Sequence, residues 1–409
     1  MSRPLKVIVI GAGLSGLAIA QGLKKNGIEY VVVDKESEPR DRNWGVTIAW
    51  SHPFLQELLP EELFNRLAEC QPDEKLNTKG AGCESIIIRD GATGATIAEP
   101  SFPGIRRLNI QKTRSLWSKD VNVKFGKTVT DVELTSDGVT AHFQDGTSES
   151  GTVLVGADGG GSWVRRWLLG DEADATVLPY VFLNFPMRFT AEQALKMDKM
   201  MNPFVDVGVH PKGMYIGIFL LDKPDLDKPE SWIFYFLVTW PKQEDTDTND
   251  GENTTTDDVN MADEFRKRAD GWADPFKSAV DWMPKDIKAK AVPLKIWGPK
   301  SGWDNRQGRV TLAGDAAHSM TFHRGQGANN AIRDSKMFVD AMVKVKSGEM
   351  TLGKAIAGYD RDVVPRGVQE VEISRAQTDA FHNHARFLES PVIKHGIRPV
   401  TEFSKTEEA

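Results

Sequence analysis

The sequence predicts an α/β fold: a nucleotide-binding domain built on a parallel sheet, interrupted by an inserted, mostly antiparallel β-sheet domain and completed by C-terminal helices. Three observations carry this. A glycine turn, Gly11-Ala12-Gly13-Leu14-Ser15-Gly16, joins an apolar strand to a helix near the N-terminus, the mark of a Rossmann-like domain. Long runs rich in aromatic and β-branched residues begin only after Arg166. A second glycine loop, within Gly314 to Asp334, again opens a helix after a strand, far downstream of the first.

The elements follow in order. Lys6–Ile10 reads as a buried strand, Leu17–Asn26 as a helix stopped at Gly27, and Tyr30–Asp34 as the next strand, which completes a βαβ unit. Glu84–Arg89, Val121–Phe125 and Val153–Asp158 read as further strands, and Val132–Phe143 as one alternating, half-buried strand. Val177–Phe189, Gly213–Leu221 and Trp232–Trp240 predict the inserted sheet. The acidic stretch 243–260 has too few large apolar groups to order itself and reads as a mobile loop. Met261–Asp281 reads as helix, Gly308–Gly314 as a buried strand, and Gly327–Lys344 and Thr351–Ala380 as long helices, with 389–409 a loose tail. The expected division is therefore 1–170 and 296–388 for the two parts of the nucleotide domain, with 171–295 inserted between them.

Composition excludes several functions. The chain has 409 residues, 40% hydrophobic and 27% charged, with net charge −7, so no basic face is available for nucleic acid. No apolar stretch reaches the roughly 18 residues of a membrane span, and Met1–Pro4 is too short for a signal peptide. The only cysteines, Cys70 and Cys83, have no metal-type spacing, which fits a reducing, cytoplasmic setting. In that setting the sequon Asn253-Thr254-Thr255 carries no weight.

Three motifs carry the chemistry. In the first, Gly11 permits the tight turn, Gly13 lets a pyrophosphate approach the backbone, and Gly16 lets the helix pack on the strand. The phosphate then meets free amides at the helix start, around Ala12, Leu14 and Ser15. Asp34 ends the second strand, where an acid accepts from a ribose, so FAD or NAD is expected rather than NADP. Lys35 and Arg42 are counted with it as cofactor contacts. The second motif, Gly156 to Arg165, is a strand end, an acid and a turn; Ser162 as helix cap and Asp158 as cofactor contact are equally good readings of the residues. In the third, Asp315 after Gly314 can accept from ribityl hydroxyls. Gly325, Gly327 and Ala328 leave room for a planar ring, and Asn329 lies in the first turn of a helix whose positive end faces it. His318 is better read as holding its own loop than as catalytic.

Together, GxGxxG, the DGxxSxVR-like run and GDAAHSMTFHRGQG resemble the class A, single-component FAD monooxygenases, the flavoprotein aromatic hydroxylases, over residues 5–385. Members from fungal secondary metabolism look nearest. The resemblance implies non-covalent FAD, NADPH or NADH as a transient co-substrate, and O2. A flavin C4a-hydroperoxide would hydroxylate or epoxidise a small aromatic or polycyclic metabolite, in a monomer or homodimer. An FAD oxidase or reductase of the same fold, or a flavin-binding relative without catalysis, is the alternative. Arg106 to Trp117 resembles the family's arginine-plus-leucine FAD helix, with Lys112 in the usual arginine position and a shortened segment after Trp117. Phe322 stands where the family usually has proline. Arg188 and Tyr215 have about the spacing of an arginine–tyrosine pair that would favour a phenolate, with a surface arginine and a core tyrosine as the plainer reading. Tyr235, Trp240, Phe322, His323 and Arg324 are the pocket candidates, core packing being equally good for the first three.

Overall fold

The computed structural model describes residues 4–39, 41–74, 85–100, 104–136, 138–202, 204–242, 260–396 and 398. The acidic stretch 243–259, its sequon, Cys83 and most of the C-terminal tail lie outside the described residues.

Five parallel strands form the nucleotide sheet, in the order Val310–Leu312, Val153–Gly156, Lys6–Ile10, Glu29–Val33, Val123–Lys124. The central strand is buried from Val7 to Ile10, as a parallel strand covered on both faces must be. Helices Leu14–Lys25 and Gly327–Lys346 cross on one face, so close at Gly22 that a Cβ there would stand 2.8 Å from Val339 Cγ2. The two glycine loops thus open helices that pack together, although most of the chain separates them.

The second sheet has seven strands, in the order Ala291–Ile296, Thr176–Met187, Ile233–Pro241, Met214–Asp222, Val205–His210, Ile87–Asp90, Thr96–Ala98. Every pairing is antiparallel except that of Val205–His210 with Ile87–Asp90. It has its own core, in which Phe185, Phe234, Phe236, Phe265 and Phe276 are buried. Two of its strands precede residue 171, so the inserted segment does not complete its sheet alone.

Several elements differ from expectation. Val132–Phe143 is a hairpin, Val129–Leu134 and Val139–Phe143, because Thr135 N–H donates to Gly138 O at 3.0 Å and turns the chain; the alternation simply runs through the turn. Met261–Asp281 is two short helices, Ala262–Arg268 and Phe276–Asp281, parted by Gly271 in a left-handed conformation (φ 86°) and by Pro275. After Trp117 the chain turns tightly, with Asp120 left-handed (φ 53°), and Gln21 Nε2 donates to the Trp117 and Lys119 carbonyls. Part of the expected tail, Pro391–His395, is a helix docked through buried Val392.

Candidate active site

A cavity of about 1660 Å³ runs from the first glycine loop to the antiparallel sheet. Its nucleotide wall includes Gly11, Ala12, Gly13, Leu14, Ser15, Asp34, Lys35 and Arg42. Gly11 holds φ 105°, and a Cβ there would lie 2.5 Å from Ala157 O. A Cβ on Gly16 would come within 1.9 Å of Gly11 O, so Gly16 does not line the cavity but lets the helix approach the turn. Asp34 Oδ2 accepts from Ala12 N–H at 2.7 Å and Oδ1 from Glu36 N–H at 2.9 Å. The acid therefore shapes the turn while it lines the cavity.

The second motif forms a helix cap at the edge of the cavity. Ser162 caps the helix Trp163–Leu169, its Oγ accepting from Arg165 N–H at 3.0 Å and donating to Asp158 Oδ1 at 2.5 Å. Asp158 Oδ2 accepts from the amides of Trp163 and Val164 at 2.7 and 3.2 Å. Burial pushes the Asp158 carboxyl up, against the pull of these donors. Asp158 borders the cavity, but its carboxylate already holds the helix start. Arg165 joins this motif to the third: it donates to the Asp315 and Ala316 carbonyls at 3.3 and 3.2 Å and to Gly160 O at 2.5 Å, stacked 4.5 Å from the Trp297 ring centre.

Under the third motif lies a buried charge network. Asp334 Oδ2 accepts from Gly314 N–H at 2.8 Å and from His318 Nε2 at 2.6 Å; Oδ1 accepts from Arg366 Nη2 at 2.5 Å. Burial alone would raise the Asp334 carboxyl, but His318 and Arg366 hold it far below the usual range. His318 is fully buried and holds the loop. Asp315 instead opens onto the cavity, its side chain accessible there; desolvation by the surrounding fold and neighbouring Asp334 push its carboxyl up, while His318 and Arg165 oppose them. Gly325, Gly327 and Ala328 line the same stretch.

Opposite stands the sheet wall: Val205, Val207, Tyr215, Phe219 and Leu237, with Phe322, His323 and Arg324 beside it. Phe322 stacks on Phe182 and on His323, with ring centres 4.9 and 4.1 Å apart. Behind His323 two imidazoles share one hydroxyl. His382 Nδ1 lies 2.6 Å from the Thr378 carbonyl, which can only accept, so this nitrogen carries the hydrogen. His382 Nε2 then accepts from Thr239 Oγ1 at 2.9 Å, and Thr239 Oγ1 accepts from His323 Nε2 at 3.1 Å. His323 Nδ1 lies 3.0 Å from Thr378 Oγ1, whose one hydrogen is shared between this nitrogen and the Ser374 carbonyl, also at 3.0 Å. Both rings are neutral in this pattern. Burial lowers both further, His382 to about 4 and His323 well below the ordinary value.

Other expected residues are placed elsewhere. Arg188 is exposed just past the end of its strand, because Leu183, Phe185 and Met187 take the inward parity and Arg188 the outward one. Lys112 does not reach the cavity; its Nζ pairs with Asp222 at 2.7 Å, and the helix presents Gln111, Arg114, Ser115 and Ser118 instead. Asn329 is spent on protein: Oδ1 accepts from Ala49 N–H and Ser51 Oγ, both at 2.8 Å, and Nδ2 donates to the Thr47 and Gly325 carbonyls. Tyr235 donates to Asn184 Oδ1 at 3.0 Å, and Trp240 is buried beneath Arg268; neither lines the cavity. Arg324 borders it, but its Nη1 donates to buried Glu370 at 2.7 Å. Arg107, inside the stretch Arg106 to Trp117 but given no role of its own by the sequence, lines the cavity from a strand.

A glycine cradle at a helix start, an acid opening onto the cavity and a separate sheet closing the far side define a nucleotide-cofactor fold with a second domain over the site. A family model described as FAD binding domain matches residues 4–49 and 282–372, the two parts that meet in the nucleotide wall. The chain is 34% identical over 403 residues to the FAD-dependent monooxygenase phnB of Penicillium herquei, covering 96% of this chain and 95% of that protein. It is 31% identical over 397 residues to the FAD-dependent monooxygenase cctM of Talaromyces islandicus, covering 96% and 97%. Its fold is similar to that of Klebsiella pneumoniae HpxO, solved with FAD and uric acid, at TM-score 0.73 and 23% identity over 94% of this chain and 90% of that one. The chain belongs to the FAD-dependent monooxygenases, and FAD is its cofactor.

Proposed function

We propose that the protein uses NAD(P)H and O2 to oxygenate a small aromatic or polycyclic metabolite; its fungal relatives are FAD-dependent monooxygenases. One observation carries this reading: the cavity is continuous from the glycine cradle to the sheet, and about 1660 Å³ exceeds the roughly 300–1,000 Å³ of a pocket for one drug-sized molecule. It supports a flavin and a second molecule side by side. The cradle fits FAD: Gly11 and Gly13 expose backbone to the pyrophosphate at the start of the helix Leu14–Lys25, Asp34 accepts from the adenosine ribose, and Asp315 from the ribityl chain. Bound there, FAD supplies the electron transfer and oxygen chemistry that no side chain provides. The chain's own residues orient the second molecule and exclude water. Val205, Val207, Phe219, Leu237 and Phe322 give the far wall an apolar surface against which a flat ring packs.

The test is direct. Purified protein loaded with FAD is expected to oxidise NAD(P)H faster with its substrate present and to place one atom of labelled O2 in the product. Oxygen consumed wholly as hydrogen peroxide, with no labelled product from any aromatic substrate, would turn the reading towards an oxidase.

A further inference from the structure

Arg107 sits in the strand Arg106–Asn109, paired with Gly45–Ile48, and is 5% exposed. Its Nη1 donates to Thr47 Oγ1 at 3.0 Å. Its Nε and Nη2 are buried and have no hydrogen-bond partner among the described residues. The guanidinium carbon lies 4.4 Å from the centre of the Phe219 ring, and a Cβ on Gly45 would stand 2.4 Å from Nε and Nη2, so glycine is what leaves this side chain its place. Among the described residues no carboxylate pairs with it. The titratable groups that act on it are Tyr215 and Tyr235. Burial lowers its pKa to about 10, still charged at neutral pH.

The other buried arginines near the cavity are compensated. Arg324 has Glu370, Arg366 has Asp334 and Asp362, and Arg165 has four backbone carbonyls. A buried charge without a partner costs several kcal/mol, so a fold that keeps one gains its counter-charge elsewhere. The cavity is the available source.

We propose that Arg107 is the anion-recognising residue of the substrate subsite, and that the substrate binds as a planar oxyanion, a phenolate or enolate, with its proton released to solvent. A single guanidinium beside Phe219, Tyr215 and Leu237 matches one charge on a flat apolar body. This deepens the monooxygenase reading and rests on it, because deprotonation makes the ring more electron-rich towards an electrophilic oxygen. The alternative source of the same charge is the reduced flavin, which carries its own anion.

The experiment uses the FAD-loaded enzyme and two probes of one shape, 4-nitrophenol and its methyl ether 4-nitroanisole. Calorimetry in buffers of different ionisation enthalpy counts the proton released. The wild type is expected to prefer the phenol by roughly 30-fold at a pH where it is partly ionised, and to release a proton. Arg107→Gln removes the preference and leaves affinity for the ether unchanged. Arg107→Lys, which keeps charge but not the fork, retains part of the preference and guards against a folding failure of the first variant. An equal preference in Arg107→Gln, or none in the wild type, overturns the proposal. So does a changed flavin reduction potential in ligand-free Arg107→Gln, which would assign the charge to the flavin. If the phenol preference holds but NAD(P)H does not reduce the flavin, the anion subsite stands and the monooxygenase reading fails.

Discussion

The two walls of the cavity handle charge in opposite ways. On the nucleotide side, anions are already partnered: Asp334 by Arg366 and His318, Asp34 by two amides, Asp158 by Ser162 and two amides. Against the sheet side, where the two-stranded ladder of Arg106–Asn109 and Gly45–Ile48 meets Phe219, buried Arg107 has one threonine hydroxyl. A wall whose charges are paired keeps its shape without a ligand. A wall with an uncompensated cation is complete only when something binds. Asp315 is the exception that fits the rule, since it faces the cavity and not a partner, at the point where a cofactor hydroxyl would donate. Substitutions on the first wall should therefore change stability and flavin content, and those on the second should change ligand choice.

The largest effect is expected at Asp334. Asp334→Asn leaves Arg366 and His318 without their shared anion and should cost about 3–5 kcal/mol. Denaturant unfolding of the FAD-free protein measures this; a loss below about 1 kcal/mol would mean that the network does not hold the wall. Gly11→Ala comes next. It forces a side chain into φ 105° and against Ala157 O, for about 2–3 kcal/mol, and bound flavin should disappear from the visible spectrum. Asp315→Ala should separate the two readouts. Flavin content falls, while the melting temperature of the apoprotein holds, because the side chain opens onto the cavity and its carboxylate makes no hydrogen bond among the described residues. A normal flavin content in that variant would place the ribityl contact elsewhere.

The same contrast governs what could be read from the chain. The glycine turns, the acid ending the second strand and the βαβ order depend on residue types a few positions apart, and each is where the local pattern puts it. The inserted sheet was legible from its aromatic and β-branched runs, and the strand expected at Glu84–Arg89 forms as Ile87–Asp90, but nothing local shows that it and Thr96–Ala98 join this sheet across a long gap. Site residues whose role depends on distant partners were much less legible. Arg188 matched a spacing, yet spacing along a strand does not fix the face; the inward run of Leu183, Phe185 and Met187 was the available signal, and it points Arg188 outward. Asn329 and Arg324 have the right neighbours in sequence but spend their polar atoms on Ala49, Ser51 and Glu370, partners that only the folded chain brings near. Arg107 is the extreme case. Its importance comes from partners it lacks, and no local pattern shows an absence.

The smallest expected effect lies between the walls, at the paired imidazoles. His382 is held neutral, down to about 4, by burial, and His323 lies well below its ordinary value for the same reason. Protonating His382 would set a second N–H against the Thr239 hydroxyl hydrogen already pointing at it. In the unfolded chain both titrate near 6.5, so below that pH the unfolded state binds more protons and stability falls. The contribution is complete above about pH 6.5 and is lost as pH drops towards 4. Asp360 works against this: burial raises its carboxyl to about 6, so the folded state gains protons, and stability, over much of the same window. The two are separable by substitution. His382→Gln should flatten the acid-side loss, and Asp360→Asn should steepen it, in unfolding free energies measured from pH 7 to 4. Parallel curves for wild type and His382→Gln would mean that the shared Thr239 hydroxyl does not hold these rings neutral, and that this part of the sheet wall can accept charge as readily as Arg107 carries it.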